Sequence, residues 1–284
     1  MKLITWNVQW CRGIDGNVDP ARIVEHAARL ADFDVLCLQE VAVNFPGLPG
    51  SAGEDQVAAF ARALPGFTPH YGAATDVDDG AGGRRSFGNL VLSRLPVHQV
   101  YRHLLPWPVD PGIKSMQRIA VEAVVQAAWG PLRIVTTHLE YYSAMQRMAQ
   151  VNALRAMHRE ACGHASDSRP PGEAGQPFEA RSRPVSALLA GDFNFKPDDP
   201  EYRRLSASFD APTVPDFVDA WTVANRSAHA PTAGMHENSW ADRPLCCDFI
   251  WVTQDLSRRV DRVAVDGDTQ ASDHQPVLIE LSAR

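Results

Sequence analysis

The sequence predicts an α/β protein in which two packed β-sheets are flanked by helices. Short apolar, β-branched runs recur along the 284 residues, and several are apolar at nearly every position, as expected for strands buried on both faces. Helical patterns separate only some of these runs. A single open parallel sheet needs a helix after nearly every strand, so two sheets with helices outside fit the order better.

Nine strands are predicted from these apolar runs. They span residues 3–6, 35–38, 90–92, 119–125, 132–136, 185–190, 249–252, 260–265 and 277–281. Four helices are predicted between them. They begin at Asp19-Pro20, span 54–64 and 143–161, and begin again at Asp199-Pro200. An Asp-Pro pair supplies an N-cap and a first helical residue, and Ser143 with Gln146 has the spacing of a capping box.

The strand patterns run through the whole chain, which predicts a single domain over residues 1–284. Residues 163–184 are rich in Ser, Pro, Gly and charged side chains, and strand patterns continue on both sides. We therefore expect a flexible surface insertion there. Residues 72–83 are expected to form a second loop of this kind.

Composition and charge narrow the classes of function. A net charge of −7 argues against a protein that grips nucleic acid through a broad basic surface, although a bound metal can supply positive charge locally. No apolar run approaches the roughly 18–20 residues of a membrane span, and the N-terminus lacks a signal-peptide pattern. Five cysteines without CxxC spacing indicate free thiols. We expect a cytoplasmic protein without membrane insertion, and a monomer.

Polar side chains follow several of the predicted strands. They are Asn7, Glu40, His138, Asp192 with Asn194, and the pair Asp273-His274 before the final strand. Ligand sites collect at strand ends because the sheet holds each side chain rigidly while the ends converge. Turn chemistry alone would favour Gly, Ser and Pro at these positions as strongly as Glu and His. The pattern therefore predicts one polar site.

The residue types in this set favour phosphate chemistry assisted by a hard cation. Glu40, Asp192 and Asp273 offer carboxylate oxygens, and Asn7 offers a neutral one. Mg²⁺ and Mn²⁺ prefer such oxygens and bind substrate phosphate as well. Zinc would favour His and Cys ligands, and the chain has neither HExxH nor CxxC spacing. We predict Mg²⁺ or Mn²⁺ as the cofactor.

An ordered set of short motifs resembles the endonuclease/exonuclease/phosphatase superfamily. The motifs are TWN (5–7), QE (39–40), GNLVLSR (88–94), THL (137–139), GDFN (191–194), DFI (248–250) and SDHQPV (272–277). The resemblance covers residues 3–281 and implies a four-layer α/β-sandwich of the deoxyribonuclease I type, with two mixed sheets flanked by helices. It also implies metal-assisted, in-line attack of water on phosphorus.

The resemblance implies a role for each matching residue. Glu40 corresponds to the principal metal ligand, with Asn7 beside it and Asp273 in the metal or water network. Asp192 corresponds to the residue that orients or deprotonates the attacking water, and Asn194 to the one that holds phosphate or Asp192.

The remaining family positions concern the substrate. His274 corresponds to the histidine that contacts the scissile phosphate, and Asp248 to the carboxylate that fixes its tautomer. His138 corresponds to a second histidine, a proton donor to the leaving oxygen. Asn89 and Arg118 occupy positions of substrate-side or supporting polar groups.

Two further features bear on substrate recognition. Arg84 and Arg85 precede the GN motif, and we expect them to clamp a non-scissile phosphate. The loop 230–245 precedes Asp248 and is a possible wall of the cleft, in which Trp240 either stacks on a base or packs in the core.

The sequence leaves the branch of the family open. Gln9 and the THL motif argue against an abasic-site endonuclease, which usually has Asn or Asp two residues after the first Asn, and a tyrosine-containing element instead of THL. The leading hypothesis is a phosphodiesterase acting on nucleic acid, nucleotides or small diesters. The alternative is a phosphomonoesterase or a lipid-headgroup phosphodiesterase. A binding module without activity would be free to lose several site residues, so the intact set argues against it.

Overall fold

The computed structural model describes residues 1–167, 172–173, 175–179, 181, 183–236 and 243–283. In chain order the strands are β1 Lys2–Asn7, β2 Val35–Val43, β3 Thr68–Asp78, β4 Arg84–Ser93, β5 Val97–Leu104, β6 Ile119–Ala127, β7 Gly130–His138, β8 Ala187–Asp192, β9 Phe217–Asp219, β10 Asp248–Thr253, β11 Val260–Val265 and β12 Val277–Leu281. The helices are α1 Pro20–Leu30, α2 Gln56–Ala63, α3 Ala144–Ser166, α4 Pro200–Ser206 and α5 Ala220–Ala224.

The strands form two mixed sheets of six strands each. The first sheet has the order β11-β12-β1-β2-β4-β3, and the second has the order β5-β6-β7-β8-β10-β9. Apolar side chains from both sheets, among them Leu3, Val121, Ile134 and Leu188, make one buried layer between them. A strand that is covered on both faces must be apolar at successive positions, which explains the continuous apolar runs of the sequence.

Helices cover the outer face of each sheet. Ile23 of α1 and Phe60 of α2 pack on Trp6 and Leu36 of the first sheet, and Val151 of α3 belongs to the cluster that covers the second sheet. The Ser143 hydroxyl accepts a hydrogen bond from the Gln146 amide at the start of α3 (3.1 Å), as the capping spacing predicts. The layers are helix, sheet, sheet and helix, which confirms the predicted four-layer sandwich.

Parallel pairing at the centre of both sheets places polar strand ends together. β1 runs parallel to β2, with Asn7 opposite Gln39, and β7 runs parallel to β8, with His138 opposite Asp192. Neighbouring parallel strands end at the same edge of a sheet. This geometry brings together residues that are far apart in the chain.

The strands that the sequence did not predict are β3, β5 and β9, and all three lie at sheet edges. An edge strand is half exposed and therefore lacks a continuous apolar run. The expectation of a loop over 72–83 was wrong for this reason, because residues up to Asp78 belong to β3 and pair with β4. The helix α5 was also missed, since it is only five residues long.

The ends of the predicted insertion 163–184 carry regular structure or buried contacts. Helix α3 continues to Ser166, and Arg183 is buried. No helix within the described ranges combines the length and apolarity that crossing a membrane requires.

A buried ion cluster stabilises the second sheet around Glu122 of β6. Arg183 donates two hydrogen bonds to the Glu122 carboxylate, at 3.0 and 3.1 Å, and His103 Nε2 lies 3.3 Å from Glu122 Oε2. Burial alone would raise the pKa of Glu122, but His103, Arg183 and Arg133 outweigh it and lower the pKa from 4.5 to about 2.

We predict that Glu122→Gln lowers the free energy of unfolding at pH 7 by about 3–5 kcal/mol, because it removes the buried carboxylate beside Arg133 and leaves Arg183 only its contact with the exposed Glu160. The unfolded chain binds this proton more tightly than the folded protein does. The stabilisation, about 3 kcal/mol for such a shift, is therefore complete above pH 4.5 and is lost as the pH falls toward 2. Urea unfolding between pH 6 and 3 measures it. An equal pH dependence in the variant and the wild type would refute the assignment.

Candidate functional site

Asp192 lies at the centre of the polar strand ends. It is the last residue of β8, and strand register places His138 of β7 on one side of it and Asp248 of β10 on the other. Residues directly opposite in neighbouring strands have side chains roughly 5 Å apart. Register therefore assembles three of the predicted site residues.

Two asparagines hold the Asp192 carboxylate. Asn7 Nδ2 donates to Asp192 Oδ2 at 2.9 Å, and the Asn194 backbone amide donates to Asp192 Oδ1 at 2.9 Å. Asn194 has a positive φ of 51°, a conformation that Asn tolerates better than most residues. Its side chain donates to the Leu139 carbonyl and contacts His138 Nε2 at 3.0 Å, so it ties β7 to β8.

The glycine of the GDFN motif permits the close approach of β8 to β7. Gly191 has φ +146°, and a Cβ there would lie 1.9 Å from the Thr137 carbonyl oxygen. Backbone at such a distance must move, and Asp192 would move with it.

Gly191→Ala should lower the free energy of unfolding by at least about 3 kcal/mol and displace Asp192, because it combines a backbone clash with strain. Gly66→Ala is the matched control. Gly66 also has a positive φ, +92°, but no atom lies near its would-be Cβ. It should cost only about 1 kcal/mol. Equal urea midpoints for the two variants would contradict the assigned clash.

A β-bulge directs Glu40 toward Asp192 and His138. The register of β2 against β4 shifts between Leu38 and Val41, and Glu40 has a φ of +62°. A bulge inserts an extra residue and re-aims side chains locally. Glu40 Oε1 accepts a hydrogen bond from Asn7 Nδ2 at 3.1 Å and lies 3.8 Å from His138 Nδ1.

His274 is held by a buried carboxylate. Its Nδ1 lies 2.9 Å from Asp248 Oδ2, which also accepts a 2.6 Å hydrogen bond from the Thr232 hydroxyl. Nε2 of His274 lies 3.8 Å from Asp192 Oδ2. Burial disfavours the charged ring, but Asp248 and Asp192 outweigh burial and raise the pKa of His274 well above its usual value. The two carboxylates therefore favour the charged form of the His274 ring.

His138 has the opposite electrostatic environment. Burial, and then the charges of Arg118 and His274, lower its pKa well below the usual range. Its Nε2 lies close to both the Asn194 amide (3.0 Å) and Asp192 Oδ2 (3.4 Å). These contacts position His138 beside Asp192.

Asp273 lies near the same carboxylates. Gln9 Nε2 donates to Asp273 Oδ2 at 2.8 Å, and the negative charge of Asp273 contributes to the raised pKa of Glu40. The sequence marked Gln9 only as a departure from a family pattern. In the structure it contacts the site directly.

The carboxylates fit a divalent cation. Burial raises the pKa of Glu40 to about 7, with the charge of Asp273 adding to it. Burial and the charge of Asp248 raise the pKa of Asp192 to about 6. Among the described residues neither Glu40 nor Asp192 has an arginine or lysine partner. Clustered, desolvated carboxylate oxygens without an arginine or lysine partner suit a hard metal ion.

A second donor set includes sulfur. One ligand atom each from Asp192, Cys247 and His274 lie within 4.8 Å of one another. However, Asp248 already engages Nδ1 of His274, and burial followed by the charge of Asp248 raises the pKa of the Cys247 thiol well above its usual value. A metal ligand must be the thiolate, so the oxygen set fits better.

These residues open into a cleft with a volume of about 510 Å³. Seven of the predicted site residues line it: Glu40, Arg118, His138, Asp192, Asn194, Asp273 and His274. Arg118 donates to the buried Glu140 carboxylate at 3.2 Å. The sequence did not mark Glu140, although it directly follows the THL motif.

Three predicted substrate-side residues do not line the cleft. Asn89 is buried, and its side chain donates to the Ile119 carbonyl, which joins the two sheets. Arg84 donates to Asp76 and Arg85 donates to the Asp79 carbonyl at the tip of the β3–β4 hairpin. Both arginine side chains are thus engaged by residues of their own hairpin.

The described part of the loop 230–245 lies against the site. Ala233 forms bridges with His274 and Leu245, and Thr232 contacts Asp248. Trp240 lies outside the described residues.

The layers and the cleft define a class of two-sheet α/β-sandwich protein with an acidic, histidine-bearing site at its strand ends. A family model described as the Endonuclease/Exonuclease/phosphatase family matches residues 4–274, and the chain belongs to this family. Its members are phosphoesterases and generally depend on a divalent metal. No curated protein sequence matches the chain significantly.

Solved structures with this fold are similar over nearly the full chain. A family protein from Beutenbergia cavernae is 25% identical with a TM-score of 0.66, covering 99% of this chain and 72% of the other. A mannosyl-6-phosphatase from Bacteroides thetaiotaomicron is 16% identical with a TM-score of 0.66, covering 99% of each chain. A humanised D. rerio TDP2 is 16% identical with a TM-score of 0.63, covering 100% of this chain and 99% of the other.

Proposed function

We propose that this protein is a phosphodiesterase that hydrolyses nucleic acid, nucleotides or small diesters with Mg²⁺ or Mn²⁺. The observation that carries the proposal is the convergence of Glu40, Asp192 and His274 from both sheets on one cleft. Family membership supports the general reaction, and the residues of the cleft support its details.

The cation would be held by Glu40 and Asp273, with Asn7 beside them. Bound there, it would supply positive charge to the phosphoryl oxygens as negative charge builds on them. Asn7 Oδ1 accepts a hydrogen bond from the Gln9 backbone amide, which fixes the orientation of this amide. Glu40 and Asp192 both accept from Asn7 Nδ2, so one side chain spaces the two carboxylates.

The protein supplies a proton acceptor for the attacking water and a hydrogen-bond donor for the phosphoryl group. Asp192, fixed by Asn7 and Asn194, orients the attacking water and accepts its proton. Asp248 keeps Nδ1 of His274 protonated, and Nε2 of His274 donates a hydrogen bond to a phosphoryl oxygen. His138 and Asn194 hold this arrangement in place.

The experiment that tests the function is a hydrolysis screen with and without Mn²⁺ or Mg²⁺. It uses a p-nitrophenyl phosphodiester, the corresponding monoester, single- and double-stranded DNA, RNA and lipid headgroup diesters. We expect diester hydrolysis that EDTA abolishes. Activity that persists in EDTA would overturn the metal dependence. Hydrolysis of the monoester or of lipid headgroups alone would replace the proposal with its alternatives.

A further inference from the structure

The outer part of the cleft differs in character from its acidic base. Five aromatic rings line it: Trp10, Phe45, Phe87, Tyr141 and Tyr142. Leu48 and Met116 line it as well. Aromatic side chains at this density next to a reactive site are typical of a pocket for an organic group.

The rings come from both sheets. Phe45 follows β2 and Phe87 lies in β4, and their ring centroids are 6.4 Å apart at an interplanar angle of 74°. Tyr141 and Tyr142 follow β7, with ring centroids 4.8 Å apart at 87°. Edge-to-face pairs leave a ring face available for stacking. A planar group bound beside the phosphate would therefore meet aromatic surface contributed by each sheet.

Tyr141 and Tyr142 are unusually exposed for large aromatic side chains, with 40% and 54% of their surfaces accessible. Their backbone is nevertheless fixed. The Tyr142 amide donates to Glu140 Oε1 at 3.0 Å, and the Tyr141 carbonyl accepts from Arg147 at 3.0 Å. The two rings are thus presented from a rigid support, which lowers the entropy cost of binding a ligand.

The charges of the cleft limit how many phosphates a substrate carries. Arg118 is paired with Glu140, and Glu40, Asp192 and Asp273 form the acidic base. Among the described residues that line the outer part of the cleft, Lys114 is the one lysine or arginine without a carboxylate partner. Its ammonium group lies 5.5 Å from the centroid of the Tyr142 ring. A polyphosphorylated substrate needs several such cations.

We propose that the diester hydrolysed by this protein carries an aromatic ring beside the scissile phosphate and no further phosphate group. This inference rests on the proposed function, since it concerns the same site. The ring stacks on Tyr142 or on the Phe45–Phe87 pair, and the single negative charge of the diester lies at the base of the cleft.

The test compares three diesters that share hexafluoroisopropanol as leaving group, which carries no ring and whose release is followed by fluorine NMR. The second ester group is methyl, phenyl or 2-phosphoethyl. We expect kcat/KM for the phenyl diester to exceed that for the methyl diester by at least about tenfold, as for a stacked ring. The phosphoethyl diester should be the poorest substrate. A phenyl-to-methyl ratio near one, or preference for the phosphoethyl diester, would overturn the inference.

Two variants show whether the rings of the cleft cause the preference. Tyr142→Ser should reduce the phenyl-to-methyl ratio to about threefold or less. Phe178→Ser is the matched control, since Phe178 is 91% exposed and does not line the cleft. It should leave the ratio unchanged. An unchanged ratio in Tyr142→Ser would remove Tyr142 from the proposal.

A binding measurement separates this inference from the proposed function. Methyl phenylphosphonate and methyl methylphosphonate carry one negative charge each and differ in the ring. Calorimetric titration should show at least about tenfold tighter binding of the phenyl compound. If no diester is hydrolysed, the proposed function fails. The comparison of the two phosphonate affinities still decides the inference in that case. Equal affinities would refute it.

Discussion

Asp192→Asn should lower kcat on a phosphodiester substrate by about a thousandfold or more, as expected when a base in the reaction is removed. Asp192 is the buried carboxylate on which the contacts from Asn7, Asn194 and His138 converge. Asparagine has the same shape but cannot accept a proton from water. KM should change much less, since the substitution leaves the aromatic part of the cleft intact.

The control for Asp192→Asn is Asp198→Asn, which makes the same chemical change at an exposed position outside the cleft. It should retain full activity. Thermal unfolding of both variants verifies that each is folded. A folded Asp192→Asn protein with more than about a tenth of wild-type kcat would show that Asp192 does not take the proton.

Glu40→Gln should have opposite effects on activity and on stability. With metal present, the loss of a charged ligand should lower kcat/KM by at least about a hundredfold. In EDTA above pH 7 the variant should be more stable than the wild type. Burial and Asp273 raise the pKa of Glu40 from 4.5 to about 7, and a shift of this size destabilises the ionised folded protein by about 3 kcal/mol.

The direction of the Glu40 pKa shift determines the pH range of this destabilisation. The folded protein binds the Glu40 proton more tightly than the unfolded chain does, so the destabilisation is absent below pH 4.5 and complete above about pH 7. Urea unfolding in EDTA at pH 4 and pH 8 should therefore show the gain only at pH 8. Glu25→Gln, at an exposed position of α1, should show neither effect. If Glu40→Gln were less stable than the wild type in EDTA at pH 8, the ionised Glu40 carboxylate could not be what destabilises the metal-free protein.

How far the sequence predicts the fold depends on burial. Central strands such as β1 and β8 were predicted because both faces are covered, which makes nearly every residue apolar. The edge strands β3, β5 and β9 carry a mixture of exposed and buried residues. Their alternation is irregular, and β3 in particular contains Gly72 and polar residues. Pattern alone cannot separate such a strand from a loop.

For the site, the sequence identified residues that immediately follow a buried strand or belong to a short motif. Glu40, His138 and Asp192 are of this kind, and the structure brings them together. Thr232 lies in a segment without a motif, and Glu140 lies one residue beyond the THL motif, although each contacts a predicted site residue. Whether such residues contact the site depends on how loops pack across strands. Periodicity carries no information about that packing.

Arg84 and Arg85 illustrate the limit of inference from closeness along the chain. Only a few residues separate them from Asn89, but β4 is extended, and the register places them opposite Asp78 and Val77 near the hairpin tip. Their side chains bond to Asp76 and Asp79 there. Phe87, two residues beyond Arg85, still lines the cleft, so a short step along β4 decides which side chains reach it.

Calorimetric titration of Mn²⁺ measures the central claim most directly, because it asks whether the carboxylates of Glu40 and Asp273 hold one cation at the base of the cleft. The wild type should bind Mn²⁺ at a single saturable site, and Glu40→Gln should weaken that binding by at least about tenfold. Glu25→Gln should bind as the wild type does. Unchanged affinity in Glu40→Gln, or no saturable binding to the wild type, would contradict the metal site and the reaction proposed from it.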